Sequence, residues 1–550
     1  MRSWSFLLLT AALAAQTQTG EVTTREETPT FQSSVNLVRV PVVIRDKKGN
    51  TVGTFHKEDF QLTDRGKAQY ISQFAIEGSA VPKPATQPAA QEEIPWAPAT
   101  TGSKLVVPTR FTAFVFDDVH LKIGDLMNAR IAALKHIEQG IRPQDRVALL
   151  TLSGKVSLEF TNDLEKFKQT LMKIAPVPPA HKTFPPATFY VADQWMNRDN
   201  QEALALEGGI VAACHVPVDP KDILREVATA GAGEAINSFR TLNNIVRLLG
   251  SMPGDRVMIL VSPGFYLPDE LQRDLSESID RATRAGVVIN ALDARGVYTI
   301  DPVGEVAGCN QPDPQTSLLI SRYDSFENLA QGMMLDDLAH STGGNTSSDN
   351  DLLGGFKRLA TPPEYVYYLG FYPKDLKPDG KYHEIKVKLA DTKGYSVQAR
   401  RGYWAPSHEE DAAATATREI GEAVFSRDEL RDLTIEIHPE FFKTTDEDAK
   451  LKVATHLDIR QLPLRKQDDR NRDDVTLVCA LFDGNGNYIQ GTQKVVELRL
   501  KDENLDRRRA AGVTVNSNFD VKVGPYMIRV VVRDAEGNQM AAANGVVEIP

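Results

Sequence analysis

Cysteine is scarce in this sequence, with three residues among 550. Three cysteines cannot cross-link a chain of this length, so hydrophobic cores must supply most of the stability. An excess of basic residues is also lacking, because 63 Lys and Arg stand against 74 Asp and Glu, for a net charge of -11. A negative chain repels phosphate groups, and we therefore expect no nucleic-acid partner.

Apolar runs of membrane-spanning length are missing from the sequence. A transmembrane helix needs about 20 apolar residues. At the start of the chain, Arg2 precedes a shorter apolar run over residues 4–9 and small residues at 11–15, and polar residues follow abruptly. This layout is typical of a secretory signal peptide at residues 1–15. It predicts an exported protein, periplasmic or secreted, with no transmembrane span in the mature chain; the alternative is a buried N-terminal helix.

The length predicts three or four domains, at about 150 residues per domain. Residues 34–78 contain the β-branched run VNLVRVPVVIRD and a tight turn at residues 64–66, which together predict an N-terminal β segment. Residues 79–108 are rich in proline and alanine and predict a linker, because this composition resists both helix and ladder formation.

Residues 109–405 alternate apolar strands with helical patterns. The predicted strands are FTAFVF, RVALLTL, VSLEF, RVMILVS, GVVINALDA and, closing the series at 365–372, YVYYLGFY. This alternation predicts an α/β fold with a doubly wound, mostly parallel sheet. An insertion at residues 176–220 interrupts the pattern, and a second irregular loop is predicted at 299–325. Long insertions in compact domains are usually functional or mobile.

The helical period disappears after about residue 430. Short strand candidates run from LTIEIHPEF to GVVEI, with turns at 483–487 and 534–538, and predict an all-β immunoglobulin-like sandwich at residues 429–550. Residues 406–428 predict a connector. We interpret the Asp- and Gly-containing turns as hairpins, because they lie between strands and lack the helix-flanked Glu of an EF-hand.

The α/β portion resembles a von Willebrand factor A (vWA) domain, because FTAFVF ends in an acidic pair and later strands end in LEFTND and LVSPG. Further matches are VNLVRVPVVIRDKKGNTVGTFHKEDFQLTDRGK, FDDVHL, LAHSTGG at 338–344 and YYLGFYP. With them, residues 34–405 are similar to the secreted acidobacterial VWFA-related family. The resemblance implies a vWA-like (Rossmann-like) fold and a role in protein binding or adhesion.

The resemblance also implies a metal-ion-dependent adhesion site, in which a DxSxS loop, a Thr and an Asp hold one Mg²⁺. Asp117 matches the first Asp, but the two serine positions fall on Val119 and Leu121, which lack ligand oxygens. Thr161 matches the Thr, and the later Asp position falls on Ser262. These residues make a poor shell for a hard cation. We expect a degenerate site and no cofactor.

Three alternatives are open for the acidic pair. A register shift by one places Asp118 first and His120 at a ligand position, which favours a transition metal. Asp118 and Asp163 can instead supply the missing charge for a weak site for Mg²⁺ or another divalent cation. Without any metal, Asp117 and Asp118 can cap the helix that follows.

Candidate partner-binding residues lie at the strand ends and in the insertion. We expect an unidentified protein partner to contact His120, because open α/β sheets bind ligands at the carboxyl ends of their strands. The aromatic residues of the insertion either anchor this partner or fold back over the sheet. They are Phe184, Phe189, Tyr190 and Trp195.

No catalytic motif accompanies these residues. HExxH is absent, and Ser262 in VSPGF lacks the leading glycine of GxSxG. We predict that the protein is not an enzyme; the alternative is a metal-dependent receptor or hydrolase with an altered divalent-cation site.

The cysteines lead to a separate prediction. Cys214 and Cys309 lie in irregular segments of a chain that we expect to be exported, so we expect them to form a disulfide. Cys479, inside VTLVCALF, is expected to be a buried free thiol.

Overall fold

The computed structural model describes residues 21–27, 38–47, 50–78, 108–177, 187–296, 309–310, 312–361, 363–371, 373, 381–390, 394–405, 412–426, 430–536 and 539–550. The predicted signal peptide and most of the predicted linker lie outside these residues. In the described residues, no helix combines the length and apolar character that a membrane crossing requires.

The strands of the described residues alternate with α-helices between residues 110 and 360 and predominate on either side of that range. In chain order they are β1 (Val22–Glu27), β2 (Val38–Asp46), β3 (Phe60–Asp64), β4 (Lys67–Gln69), β5 (Gln73–Gly78), β6 (Arg110–Phe116), β7 (Asp145–Thr151), β8 (Ser157–Thr161), β9 (Asp255–Val261), β10 (Val287–Leu292), β11 (Thr346–Ser347), β12 (Tyr365–Phe371), β13 (Tyr382–Leu389), β14 (Tyr395–Ala399), β15 (Gly402–Trp404), β16 (Leu430–Arg431), β17 (Ile435–Lys443), β18 (Asp448–Leu457), β19 (Arg465–Gln467), β20 (Arg470–Asp483), β21 (Tyr488–Leu500), β22 (Val513–Lys522), β23 (Gly524–Asp534) and β24 (Met540–Ile549).

The helices in chain order are α1 (Ile123–Ile137), α2 (Leu164–Leu171), α3 (Phe189–Met196), α4 (Gln201–Ala213), α5 (Pro220–Gly250), α6 (Gln272–Arg284), α7 (Pro314–Ser341), α8 (Leu352–Ala360), α9 (Ala412–Phe425) and α10 (Asp502–Ala511). Short 3-10 helices span Lys57–Asp59 and Asp269–Leu271. The two long helices begin alike. Asp219 and Asp313 accept backbone N–H bonds at the starts of α5 and α7, and a proline occupies the first turn of each. This combination favours a helix start, because the aspartate satisfies free N–H groups and proline needs no donor there.

The central sheet has the strand order β11-β10-β9-β6-β7-β8. All neighbours are parallel except β8, which runs antiparallel to β7. Helices α5, α6 and α7 share a hydrophobic core with one face of this sheet, and α1, α2 and α8 share a core with the other. Burial on both faces explains why every residue of β6 is buried. The fold is therefore mixed α/β with a mostly parallel sheet, as predicted.

Strand β12 does not belong to the central sheet, so the prediction that YVYYLGFY closes the parallel series is wrong. It pairs antiparallel with β2 and β5, and β13 pairs antiparallel with β3. The two small sheets, β14-β2-β12-β5 and β15-β13-β3-β4, enclose one core. Residues 38–78 thus complete their fold with strands from about 300 residues later in the chain, a pairing that hydrophobic pattern alone does not specify.

The C-terminal region consists of antiparallel β-sheets. The larger sheet has the order β1-β21-β20-β23-β24-β16, with β19 on β20, and the smaller has the order β17-β18-β22. The two sheets share a hydrophobic core. On the outer side of the larger sheet, α9 buries Ile420 and Val424 against Val478 and Phe482. This second covered face explains the nearly continuous apolar run of β20.

The turn between β20 and β21 is a tight hairpin, as predicted for residues 483–487. Asp483 accepts backbone N–H bonds from Asn485 and Asn487, and Gly486 adopts φ 91°. The turn docks on the amino ends of the central strands, where Arg146 Nη2 donates to the Gly484 carbonyl at 2.8 Å. The opposite, carboxyl ends of those strands remain available for a site.

Candidate functional site

Asp117 and Ser262 emerge next to each other at the carboxyl ends of the central strands. Phe116 in β6 pairs with Val261 in β9, so the residues that follow them are neighbours. The Ser262 hydroxyl donates to Asp117 Oδ2 at 2.6 Å and accepts the Gly264 N–H at 2.9 Å. Both side chains are fully buried. A serine this enclosed is not placed to attack a substrate.

The Asp117 carboxylate is saturated by groups of the protein itself. His120 Nδ1 lies 2.9 Å from Oδ1 and 3.0 Å from Oδ2, and the backbone N–H groups of Val119 and His120 donate to Oδ1 at 3.1 and 2.9 Å. Together with the Ser262 hydroxyl, these donors occupy both oxygens. The carboxylate has no position left for a cation.

Asp117 and His120 form a buried ion pair. Burial opposes the ionisation of each side chain, but the charge and hydrogen bonds of the partner outweigh it. As a result, the pKa of Asp117 is lowered and the pKa of His120 is raised. The imidazole also stacks on the Phe265 ring, with the ring centres 4.9 Å apart. His120 thus supplies the positive charge that a metal ion supplies in an adhesion site.

Asp118 is bound in the same way by the loop after β7. Its carboxylate accepts the backbone N–H of Ser153 at 2.9 Å and the Ser153 hydroxyl at 2.5 Å. Thr151 Oγ1 lies 3.2 Å from Ser153 Oγ. Neither of these two residues was predicted as a site residue, although Thr151 lies at the end of the predicted strand RVALLTL and Ser153 directly follows it. Neither Asp117 nor Asp118 caps α1, because its N-cap is Lys122 and lacks a side-chain bond.

Thr161 lies at the other end of the central sheet. Because β8 runs antiparallel to β7, Thr161 pairs with Val147, whereas Phe116 beside Asp117 pairs with Thr151. Val147 and Thr151 are four residues apart in β7, so Thr161 and Phe116 differ in position by about 13 Å along the strand direction. Thr161 accepts the N–H of Asp163, which caps α2, so neither of them is brought to Asp117 or Asp118.

The residues present do not fit a metal-ion-dependent adhesion site. Val119 and Leu121 offer no side-chain oxygen, and Leu121 is buried in the hydrophobic core. The register shifted by one residue, with Asp118 first and His120 at a ligand position, fits no better. His120 Nδ1 faces Asp117, and Ser153 binds the Asp118 carboxylate. In the described ranges, no group of three or more His, Cys, Asp or Glu side chains has the proximity that metal binding requires.

The described part of the insertion is helical and folds back onto the domain. Phe189 in α3 packs against Gly231 in α5, where an added Cβ would lie 2.3 Å from the ring. Tyr190 contacts the Tyr266 ring at 4.9 Å between centres. Trp195 is half-buried, with the Arg225 guanidinium 5.5 Å from its ring centre. These contacts agree with the second of the two alternatives, in which the aromatic residues of the insertion fold back onto the protein itself. Phe184 lies outside the described residues.

The predicted disulfide between Cys214 and Cys309 is confirmed. Cys214 caps the end of α4, and the Asn310 N–H donates to the Ala213 carbonyl at 2.9 Å. The bond therefore ties residues 309–310 to the helical layer of the insertion. Cys479 is a buried free thiol, also as predicted.

A cavity of about 70 Å³ lies beside the Asp117–His120 pair. Its walls come from the loops after β6 and β9 and from α3, α5 and α7. The residues that line it include His120, Phe189, Glu234, Phe265, Tyr266 and Glu327. The pKa of Glu327 is raised to about 7, mainly because the group is buried. Glu234 and Glu327 were not predicted from the sequence, because the sequence does not show which polar residues of a long helix face a cavity.

Large apolar side chains are exposed on α1, which follows the loop after β6, and on α7, which lines the cavity. Lys122, just before α1, interacts electrostatically with Asp324 in α7. Next to these residues, Ile123 is 66% exposed, Phe326 50% and Leu329 62%. Clustered exposed apolar side chains mark interaction sites more often than single ones do.

The fold and site define a mixed α/β and β protein with an aspartate–histidine pair at the strand ends. A scan of the sequence against protein-family models gives no match, and neither does a search of curated proteins.

Solved structures give faint similarities. An aerotolerance-related membrane protein from Bacteroides fragilis shares 11% identity over 46% of this chain and 96% of its own, with a TM-score of 0.24. The conserved hypothetical protein BatB from Bacteroides thetaiotaomicron shares 12% identity over 46% of this chain and 98% of its own, with a TM-score of 0.19. Three N-terminal domains of the pili tip protein Mfa5 from Porphyromonas gingivalis share 10% identity over 80% of this chain and 72% of theirs, with a TM-score of 0.19. Similarities this faint assign no function, which must therefore be inferred from the site itself.

Proposed function

We propose that this protein is an exported, non-enzymatic binding protein that holds a protein partner at the strand-end face without a metal ion. In this proposal the α/β portion is vWA-like and the C-terminal sheets are an immunoglobulin-like sandwich. The observation that carries the proposal is the saturation of Asp117 by His120 and Ser262. An adhesion site needs a free carboxylate to hold its cation, and this carboxylate is already neutralised.

The exposed apolar residues support binding of a protein rather than a small polar ligand. Ile123 in α1, and Phe326 and Leu329 in α7, are each at least half exposed. Burying such side chains stabilises a complex by removing apolar area from water, at about 25 cal/mol per Å². The absence of a free nucleophile at Ser262 disfavours the hydrolase alternative, and the saturated carboxylate disfavours the metal-dependent receptor.

A capture experiment with a matched surface variant tests this proposal. The full chain is used as bait for the exported proteins of its source cells, with either excess Mg²⁺ or EDTA. We expect the same partner in both conditions, and its loss when Ile123→Ser and Phe326→Ser are combined. Phe442→Ser is the control, because Phe442 is 71% exposed but lies in β17 of the C-terminal region. Capture that requires Mg²⁺, or that survives the double variant, contradicts the proposal.

Calorimetric titration with Mg²⁺, Mn²⁺ and Zn²⁺ tests the metal separately. We expect no saturable heat in the wild-type protein. Saturable binding that disappears in Asp117→Ala would show that the carboxylate exchanges His120 for a cation, and it would overturn the metal-free assignment.

A further inference from the structure

The cavity beside His120 has the size of a small chemical group rather than of a whole side chain or cofactor. A buried water needs about 10–15 Å³ of such space, so a cavity of about 70 Å³ holds a few waters or the tip of a slender side chain. Exposed Glu234 is among the lining residues, so the cavity is reachable from solvent.

The cavity holds two carboxyl groups, and the one cation of its described lining is already paired. Glu234 and Glu327 contribute carboxyl groups from α5 and α7, and neither forms an ion pair within the part of the chain that the structure describes. Among the described residues that line the cavity, the one cation is His120, whose charge Asp117 matches at 2.9 Å. Glu327 receives a weak hydrogen bond from Gln331 Nε2 at 3.5 Å and interacts with the Thr188 side chain, which is uncharged. The charge of Arg295 also acts on Glu327, but its guanidinium is bound to Asp293 at 2.7 Å. The missing component is a positive charge between the two glutamates.

The remaining walls are aromatic. Phe189, Phe265 and Tyr266 line the same cavity, and His120 covers one face of Phe265. Aromatic rings attract ammonium groups through their negative faces, and carboxylates add charge-assisted hydrogen bonds. A hard metal ion instead prefers an all-oxygen shell, and a carboxylate ligand is repelled by Glu234 and Glu327. The lining therefore matches an organic ammonium group.

We propose that this cavity binds the ammonium tip of a lysine side chain that the protein partner presents at the strand-end face. The inference deepens the proposed function, since it names the chemistry of the partner at the same face. It also inverts the polarity of a metal-ion-dependent adhesion site, where a cation of the receptor meets a carboxylate of the partner. Here the receptor supplies the carboxylates and the partner supplies the cation.

Titration of the full chain with N-acetyl-lysine methylamide, followed by heteronuclear NMR, tests the proposal. We expect saturable shifts at His120, Tyr266 and Glu327. Glu327→Gln should weaken binding by about tenfold, the usual effect of losing a hydrogen bond to a charged group. The control is Asp337→Asn, which removes an equal charge from an exposed position on the same helix and should leave the affinity unchanged.

Three further ligands distinguish the recognised group. The Nε-acetylated lysine derivative and the norleucine derivative lack the ammonium charge and should cause no saturable shifts. Glycine amide presents an α-ammonium group, which is broader at its base, and should bind more weakly than the lysine probe. Equal binding of acetylated lysine, equal binding to Glu327→Gln, or no saturable binding of the lysine probe overturns the inference.

The lysine titration and the capture experiment test the two proposals separately. Loss of partner capture in the Ile123 and Phe326 double variant with no lysine binding refutes the cavity assignment alone. Lysine binding together with capture that survives the double variant refutes the proposed apolar surface but keeps the cavity.

Discussion

The hydroxyl of Ser262 lies 2.6 Å from Oδ2 of Asp117, although 145 residues separate them in sequence. This bond joins the ends of two neighbouring central strands. Ser262→Ala leaves Asp117 with one donor fewer in a fully buried position, so we expect a loss of about 1–3 kcal/mol in the free energy of unfolding. Urea denaturation measures it. Ser276→Ala, at a partly exposed position of α6, is the control and should change stability much less. Equal losses in the two variants would contradict the assigned role of Ser262.

Glu207 makes stability depend on pH. It is fully buried, and burial raises its pKa from 4.5 to about 7, while one oxygen accepts the Ala187 N–H at 2.7 Å. Between these two values the unfolded chain has released the proton and the folded chain retains it. Stability must therefore fall as pH rises from about 4.5 to about 7, by roughly 3 kcal/mol in total, and then level off.

Glu207→Gln removes the contribution of Glu207 because the amide does not titrate, yet it keeps an acceptor for the Ala187 N–H. Chemical denaturation at a series of pH values should show a flatter profile for the variant than for the wild type. Asp337→Asn, which removes an exposed charge, should leave the wild-type slope intact. Equal slopes for the wild type and the Glu207→Gln variant would refute the assignment to Glu207.

Gly264 permits α7 to approach the loop after β9. It adopts φ 77°, and an added Cβ would lie 2.4 Å from the Gln331 carbonyl oxygen. Gly264→Ala therefore adds both backbone strain and a clash with backbone atoms, and we expect a loss of about 2 kcal/mol or more. Gly332→Ala is the matched control, because a Cβ added there would meet nothing within 4 Å and alanine favours a helix interior. Thermal unfolding should show a lower Tm for the first variant and an unchanged or higher Tm for the second.

The disulfide between Cys214 and Cys309 should contribute strongly to stability. Its two cysteines are 95 residues apart, and closing so long a loop contributes about 4.7 kcal/mol in the chain-entropy model. The Cys214→Ser and Cys309→Ser double variant should lose stability by up to this amount in urea denaturation. Thiol counting checks the pairing. We expect one reactive thiol, that of Cys479, in the denatured but unreduced protein. After reduction, we expect three reactive thiols. Cys214 alkylation in the unreduced protein would exclude the bond.

The sequence predicted the parts of the fold that depend on local pattern. FTAFVF, RVMILVS and GVVINALDA were identified as central strands because burial on both faces leaves a continuous apolar run. YVYYLGFY was assigned to the wrong sheet because its partners β2 and β5 lie about 300 residues earlier. Alternation of apolar and polar residues indicates a strand but does not specify the strand with which it pairs.

The site was predicted in part. Asp117, His120 and Ser262 were identified because they directly follow strands, and the structure brings them into contact. Thr161 was not brought to them, since the antiparallel direction of β8 reverses which end of the strand faces the site. Glu327 was not predicted, because its approach to His120 depends on how α7 crosses the sheet.

Strand β1 has a consequence for the order of folding. Its six residues pair along β21, so Val22 lies beside Leu498. During synthesis the N-terminal strand has no partner until almost the entire chain has been made. It can pair only after β21 has been made, and it then forms one edge of the larger C-terminal sheet. A tag fused ahead of residue 22 is therefore attached to the C-terminal sheets, although it is encoded at the start of the gene. It can disturb those sheets while leaving the strand-end face untouched.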